Sequence, residues 1–283
     1  MLALATAAWA QDRPRVIAVN YALQDIAERL LGDAAEVVFP VPAGVDPSFW
    51  RPSIADIRMV QSADLILLNG AGFATWLDRV SLPRSKLVNT SVAVEDRFIV
   101  TESITHSHGD GGEHSHEGLA AYTWLDPTLA VAQADAVAAA IARTGLAPAD
   151  EVYERLATLT AEFEALDERA RAALSGATVG PMIATHPRYQ YFARAYDLSI
   201  ASLEWEAGAM PSDAELAELQ ALADDTGAQV ILWEAEPPAA AIDAVAALGL
   251  RSVVFEPMAT TPASGGLLDG FVGAVDAIVA ATN

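Results

Sequence analysis

Four of the chain's five histidines, His106, His108, His114 and His116, fall within the run 105–117, Thr-His-Ser-His-Gly-Asp-Gly-Gly-Glu-His-Ser-His-Glu. Two His-x-His pairs flank a Gly/Asp hinge, with carboxylates at Asp110, Glu113 and Glu117. Imidazole nitrogen and carboxylate oxygen together suit Zn²⁺ and its divalent neighbours. The glycines let both pairs fold back on one ion without imposing a fixed geometry. A solvated polar loop is the alternative reading. The clustering favours an accessory metal-capture segment over a rigid site.

His186 is the one histidine outside that run. It follows the apolar stretch 178–184, so both a strand-end ligand and a hydrogen-bonded structural histidine stand open. Glu256 closes the apolar stretch 252–255 and reads as a metal carboxylate or as a surface or capping acid. Glu204, Glu206, Glu234 and Glu236 are further carboxylates near expected strand ends. Glu234, directly after 229–233, is the best placed of these. The chain carries no HExxH, GxSxG, P-loop or GxGxxG motif, and no base or nucleophile can be assigned. A binding protein is therefore expected, and not an enzyme.

The bulk composition narrows the partners. The chain has 283 residues, 53% hydrophobic and 19% charged, which is a globular composition. Lys and Arg number 16 against 38 Asp and Glu, for a formal net charge of −22. That balance argues against nucleic acid and against anionic membrane surfaces. There is no cysteine, which excludes disulfides and thiolate metal sites. Residues 1–10 form a short apolar run ending Ala8-Trp9-Ala10, like the end of a secretory signal peptide, but without a basic beginning. The expectation is a signal remnant over 1–10, a mature start near Gln11, and a soluble periplasmic protein.

These residues must be positioned by strands and helices in alternation. Strands are expected at 15–20, 36–39 and 64–69, with helices at 22–31 and, capped by Ser53, to about Ser62. An alanine-rich helix follows over 128–143. The longest helical pattern runs over 151–174, with Val152, Leu156, Leu159, Phe163, Leu166 and Ala170 at spacings of three and four. Strands resume at 178–184, 198–203, 229–233 and 252–255. This alternation predicts an α/β fold of two Rossmann-like lobes with parallel sheets, joined by one long rigid helix. The lobes are assigned to 11–148, including the loop 105–117, and to 176–283, with the linking helix over 149–175. Ligands tend to sit in the loops after such strands.

The order of motifs resembles the periplasmic metal-binding proteins of ABC importers, the zinc- and manganese-type solute-binding class. The pieces are Gly44-Val-Asp-Pro-Ser-Phe-Trp-Arg-Pro52, Leu68-Asn-Gly70 with Trp76-Leu-Asp78, and Trp124-Leu-Asp-Pro127. Thr185-His-Pro-Arg-Tyr-Gln-Tyr-Phe192, Glu206–Pro211 and Phe255-Glu-Pro257 complete the series. The resemblance implies one metal in the cleft between lobes and an ABC importer permease as partner. It further implies zinc as the first choice of ion, with Mn²⁺ or Fe as alternatives. A monomer and a periplasmic metallochaperone partner fit the same reading.

The family's four ligand segments map imperfectly. The first normally reads Asp-Pro-His, and Ser48 stands in place of that histidine. Tyr122 stands where the second segment has its histidine. His186 and Glu256 match the third and fourth. Tyr122 is open between site member and packing residue, because phenol titrates at about 10 and binds best as phenolate to hard ions such as Fe³⁺. Trp50 and Arg51 are candidates to close the cleft, and an arginine there would make an anion or metal–anion complex thinkable. Two further readings remain: the same fold with Fe³⁺ or a metal chelate, and a periplasmic metal buffer or chaperone acting through the His-rich loop.

Overall fold

A computed structural model describes residues 13–101 and 118–282. The signal-like segment 1–10 and the histidine run 105–117 lie outside the described residues.

Short apolar runs bounded by polar or turn residues form the buried strands of the first lobe. These are β1 (Arg15–Ala18), β2 (Glu36–Val38), β3 (Leu65–Leu68) and β4 (Leu87–Asn89), in the order β2-β1-β3-β4 and parallel throughout. Helix α1 (Tyr21–Leu31) starts where the Asn20 side chain accepts from the Leu23 N–H. Helix α2 (Ile54–Ser62) opens on a reciprocal capping box between Ser53 and Asp56. A two-residue antiparallel pair, β5 (Val100–Thr101) and β6 (Gly118–Leu119), brackets the histidine run. Helix α3 (Pro127–Thr144) has Asp126 as its cap and proline in its first turn, and stops at Gly145 in the left-handed region.

Helix α4 (Ala149–Gly176) has 28 residues, and its buried positions from Val152 to Leu174 form one stripe. It packs against α3 and α1 on one side. On the other it meets the last helix of the second lobe. That lobe comprises β7 (Met182–Ala184), α5 (Gln190–Tyr196), β8 (Ile200–Ser202), α6 (Asp213–Thr226), β9 (Val230–Trp233), α7 (Ala239–Ala247), β10 (Arg251–Val254) and α8 (Leu267–Thr282). Its sheet runs β10-β9-β7-β8, again wholly parallel. The α/β fold of two lobes joined by one long helix is thus observed.

Two details differ from expectation. Strand β7 begins at Met182, not near residue 178, because Pro181 has no N–H for the ladder. Strand β4 and the β5–β6 pair were not anticipated, being too short to show a period.

One apolar core runs from the first sheet through α3 and α4 into β7, β9, β10 and α8. A smaller one, with Ile183, Leu203, Trp205, Leu219 and Ile231, fills the other face of the second sheet. Backbone-directed hydrogen bonds also cross between lobes: Trp124 Nε1 donates to the Pro257 carbonyl (2.8 Å) and the Tyr21 N–H to that of Ala259 (2.9 Å). Among the described residues no helix is long and apolar enough to cross a membrane.

Candidate metal-capture site in the interlobe cleft

Eight polar side chains near the lobe interface follow strand ends. Asp46 and Ser48 come in the loop after β2, Tyr122 after β6, His186 and Arg188 after β7. Glu204, Glu234 and Glu256 follow β8, β9 and β10. In parallel sheets these carboxyl-end loops converge on one side, which is where binding crevices form. Main-chain bonds fix the second-lobe loops to one another. The Thr185 N–H donates to the Leu232 carbonyl (2.9 Å), and that of Trp205 to the Thr185 carbonyl (2.8 Å).

His186 is held in a defined tautomer. Its Nδ1 lies 3.1 Å from the Trp205 carbonyl oxygen, which can only accept, so Nδ1 carries the proton. In the neutral ring the lone pair is then on Nε2. That atom is 3.9 Å from a Glu204 carboxylate oxygen, while Glu234 Oε1 stands 3.7 Å behind Nδ1. Among the described residues Nε2 makes no hydrogen bond, and an imidazole backed by carbonyl and carboxylate on its other nitrogen is the usual preparation of a metal-binding histidine.

Arg188 dominates the centre of the interface. Its side chain is only 8% exposed. Nη2 donates to Asp46 Oδ2 (2.5 Å) in the first lobe and Nε to Glu234 Oε2 (3.1 Å) in the second. The guanidinium also lies 4.8 Å from the centroid of the Tyr122 ring and 5.9 Å from that of Phe49. Burial favours loss of the arginine's proton. The Asp46 and Glu234 carboxylates outweigh burial and keep it charged. Asp46 is itself fixed, because its Oδ1 accepts from the Ser48 N–H (2.8 Å) and hydroxyl (2.6 Å).

Tyr122 is buried. Burial lifts its phenol far above the usual tyrosine range, against the pull of Arg188, so it is neutral at physiological pH. Below it lies a buried polar network. Asn69 Nδ2 donates to the Ala121 carbonyl (2.8 Å), and its Oδ1 accepts from Asn20 (3.2 Å) and Gln133 (3.1 Å). Glu256 is half-buried beside Tyr189, whose hydroxyl donates to the Phe255 carbonyl (2.6 Å). Burial raises the Tyr189 phenol, and Glu234 and Glu256 add to the rise.

The structure therefore brings His186, Glu204 and Glu234 together, and joins Tyr122 to Glu234 through Arg188. Among the described residues no three His, Asp or Glu side chains are placed to hold one metal ion. Glu206 and Glu236 are exposed. Trp50 is buried edge-on against Trp76 (5.6 Å), and Arg51 faces solvent. The arginine in the cleft is Arg188, which sequence reasoning passed over inside the motif following His186. The four histidines of 105–117 fall outside the described residues.

Comparison with known proteins gives a consistent picture. The profile of the family described as "Zinc-uptake complex component A periplasmic" matches residues 16–281. The Bacillus subtilis high-affinity zinc uptake system protein ZnuA is 26% identical over 231 residues, covering 79% of this chain and 71% of that protein. The zinc-binding lipoprotein AdcA of Streptococcus pneumoniae is 25% identical over 217 residues, 74% of this chain. The match spans only 43% of that lipoprotein's length. The crystal structure of the metal-dependent lipoprotein YcdH from Bacillus subtilis superimposes with a TM-score of 0.79 at 21% identity. The overlap covers 95% of this chain and 99% of that one, and it shows a shared fold.

Proposed function

The chain belongs to the family of periplasmic component A proteins of zinc-uptake complexes, and on that footing we propose that it captures a transition-metal ion, zinc first, for delivery to an ABC importer. In this reading it is an exported solute-binding protein and its partner is the importer's membrane permease.

The observation that carries the proposal is His186: its Nδ1 is anchored to a carbonyl and its Nε2 stands open beside Glu204 at the cleft. His186 Nε2 is the imidazole donor and Glu204 the nearest carboxylate. Glu234 orients the ring from behind, and Glu256 is a reserve acid at the end of β10. Tyr122, neutral and covered by Arg188, contributes as a wall of the site and not as a phenolate ligand. Zinc prefers about four donors, more than His186 and Glu204 supply. Water completes the shell, and His106, His108, His114 and His116 serve as a separate accessory capture segment.

Zinc competition between the metal-stripped full chain and a chromogenic chelator tests this. His186→Ala is expected to weaken binding by at least ~10-fold, the loss of one good ligand interaction of about 1.4 kcal/mol or more. Replacing the four loop histidines by Ser should lower capacity and affinity further. Unchanged affinity in His186→Ala would remove the cleft from the proposal.

A further inference from the structure

A buried cation between two lobes of an ion-binding fold needs a reason, because an unpaired charge there costs several kcal/mol and a paired one gains little over apolar packing. Arg188 has partners from both sides: Asp46 and the Phe49 and Tyr122 rings from the first lobe, Glu234 from the second. Of its two carboxylates, Asp46 is partly exposed and Glu234 is enclosed beside His186. Glu234 is only 10% exposed at the side chain, and its other oxygen is 3.7 Å from the imidazole.

We propose that Arg188 is the resident cation of the cleft: it ties Asp46 to Glu234 across the lobes and withholds both carboxylates from divalent metal, so that the cleft discriminates against hard, oxygen-seeking ions. Carboxylate oxygens suit Mg²⁺, Ca²⁺ and Mn²⁺, whereas imidazole suits zinc. With Asp46 and Glu234 both engaged by the guanidinium, a metal arriving at the cleft meets His186 Nε2 and Glu204 instead of a larger cluster of acids. Tyr122 and Phe49 complete the device, since their ring faces hold the guanidinium without offering a competing negative charge. The discrimination rests on the proposal that metal binds at His186; the clasp itself does not.

Mn²⁺ is the probe, because a hard ion reports freed carboxylates and competes poorly for the loop imidazoles. Binding to the metal-stripped full chain is followed by loss of the free Mn²⁺ paramagnetic resonance signal. Arg188→Met keeps the stem and removes the charge. It is expected to bind Mn²⁺ at least ~10-fold more tightly than the parent chain, and Arg188→Met with Glu234→Gln is expected to lose that gain. No gain in Arg188→Met, or a gain that survives Glu234→Gln, overturns the proposal. Should Arg188→Met fail to fold, Glu234→Gln alone decides. A fall in thermal midpoint without tighter Mn²⁺ binding supports the clasp, whereas an unchanged midpoint or strengthened Mn²⁺ binding overturns it. Zinc binding that depends on His186, with no Mn²⁺ gain in Arg188→Met, leaves the capture function standing and removes only the clasp.

Discussion

Tyr122 stands where the family resemblance places a histidine, and its surroundings explain what it does there. The ring is buried, edge-on to Phe73 and covered by Arg188. Tyr122→Phe keeps the ring and its packing, so it should change stability by less than about 1 kcal/mol and leave zinc affinity unchanged. Tyr122→Ala should cost about 3–5 kcal/mol through the cavity it leaves. Urea unfolding of both variants measures this, and a visible Fe³⁺ band lost in Tyr122→Phe would instead restore the phenolate reading. His186 was a candidate in the sequence because it follows an apolar stretch and matches the third ligand segment of the family resemblance. Arg188 was not, since its partner Asp46 is 142 residues away and nothing local announces the pair.

Among the elements, α3 shows how a cap also joins lobes. Asp126 accepts from the Thr128 N–H (2.9 Å) and pairs with Arg97 (3.1 Å) and with Arg194 of α5 (3.7 Å). Asp126→Ala is expected to cost about 2 kcal/mol, chiefly the cap, because both arginines keep access to water. Hydrogen exchange should show the first turn of α3 opening most in that variant; uniform protection along α3 would exclude a cap role. Ser53 announced its helix in the sequence, and the structure shows the same punctuation at Asp126-Pro127, Gly145 and Ser212 with Glu215. Strand β4 has three half-buried residues, and β5 and β6 have two residues each, one of them exposed, so neither alternation nor an apolar run marks them. Their pairing is decided by the neighbouring strand.

Taken together, the two lobes form a molecule with many protonated phenols in its core. Burial is the leading cause at every one. Tyr21 is pushed up to about 12, and Tyr122, Tyr189, Tyr191 and Tyr196 are raised as well. In the unfolded chain these phenols titrate at about 10. The folded state holds its protons more tightly, so their contribution to stability is complete below pH ~10 and is lost as pH rises beyond it. Tyrosinate absorbance should accordingly rise late and together with unfolding. Full ionisation at pH ~10 with native circular dichroism would show the rings to be accessible. The parallel two-lobe plan was visible in the strand–helix alternation. The composition of the cleft was not, because it is assembled from six loops that meet only after both sheets have formed.

Metal capture at the cleft has one direct test: anomalous scattering at the zinc edge from crystals of the zinc-loaded full chain, purified without a histidine tag. The expected result is a peak about 2.1 Å from His186 Nε2, with Glu204 turned toward it and Arg188 still between Asp46 and Glu234. Zinc bound elsewhere, with density absent at His186, would rule the cleft site out.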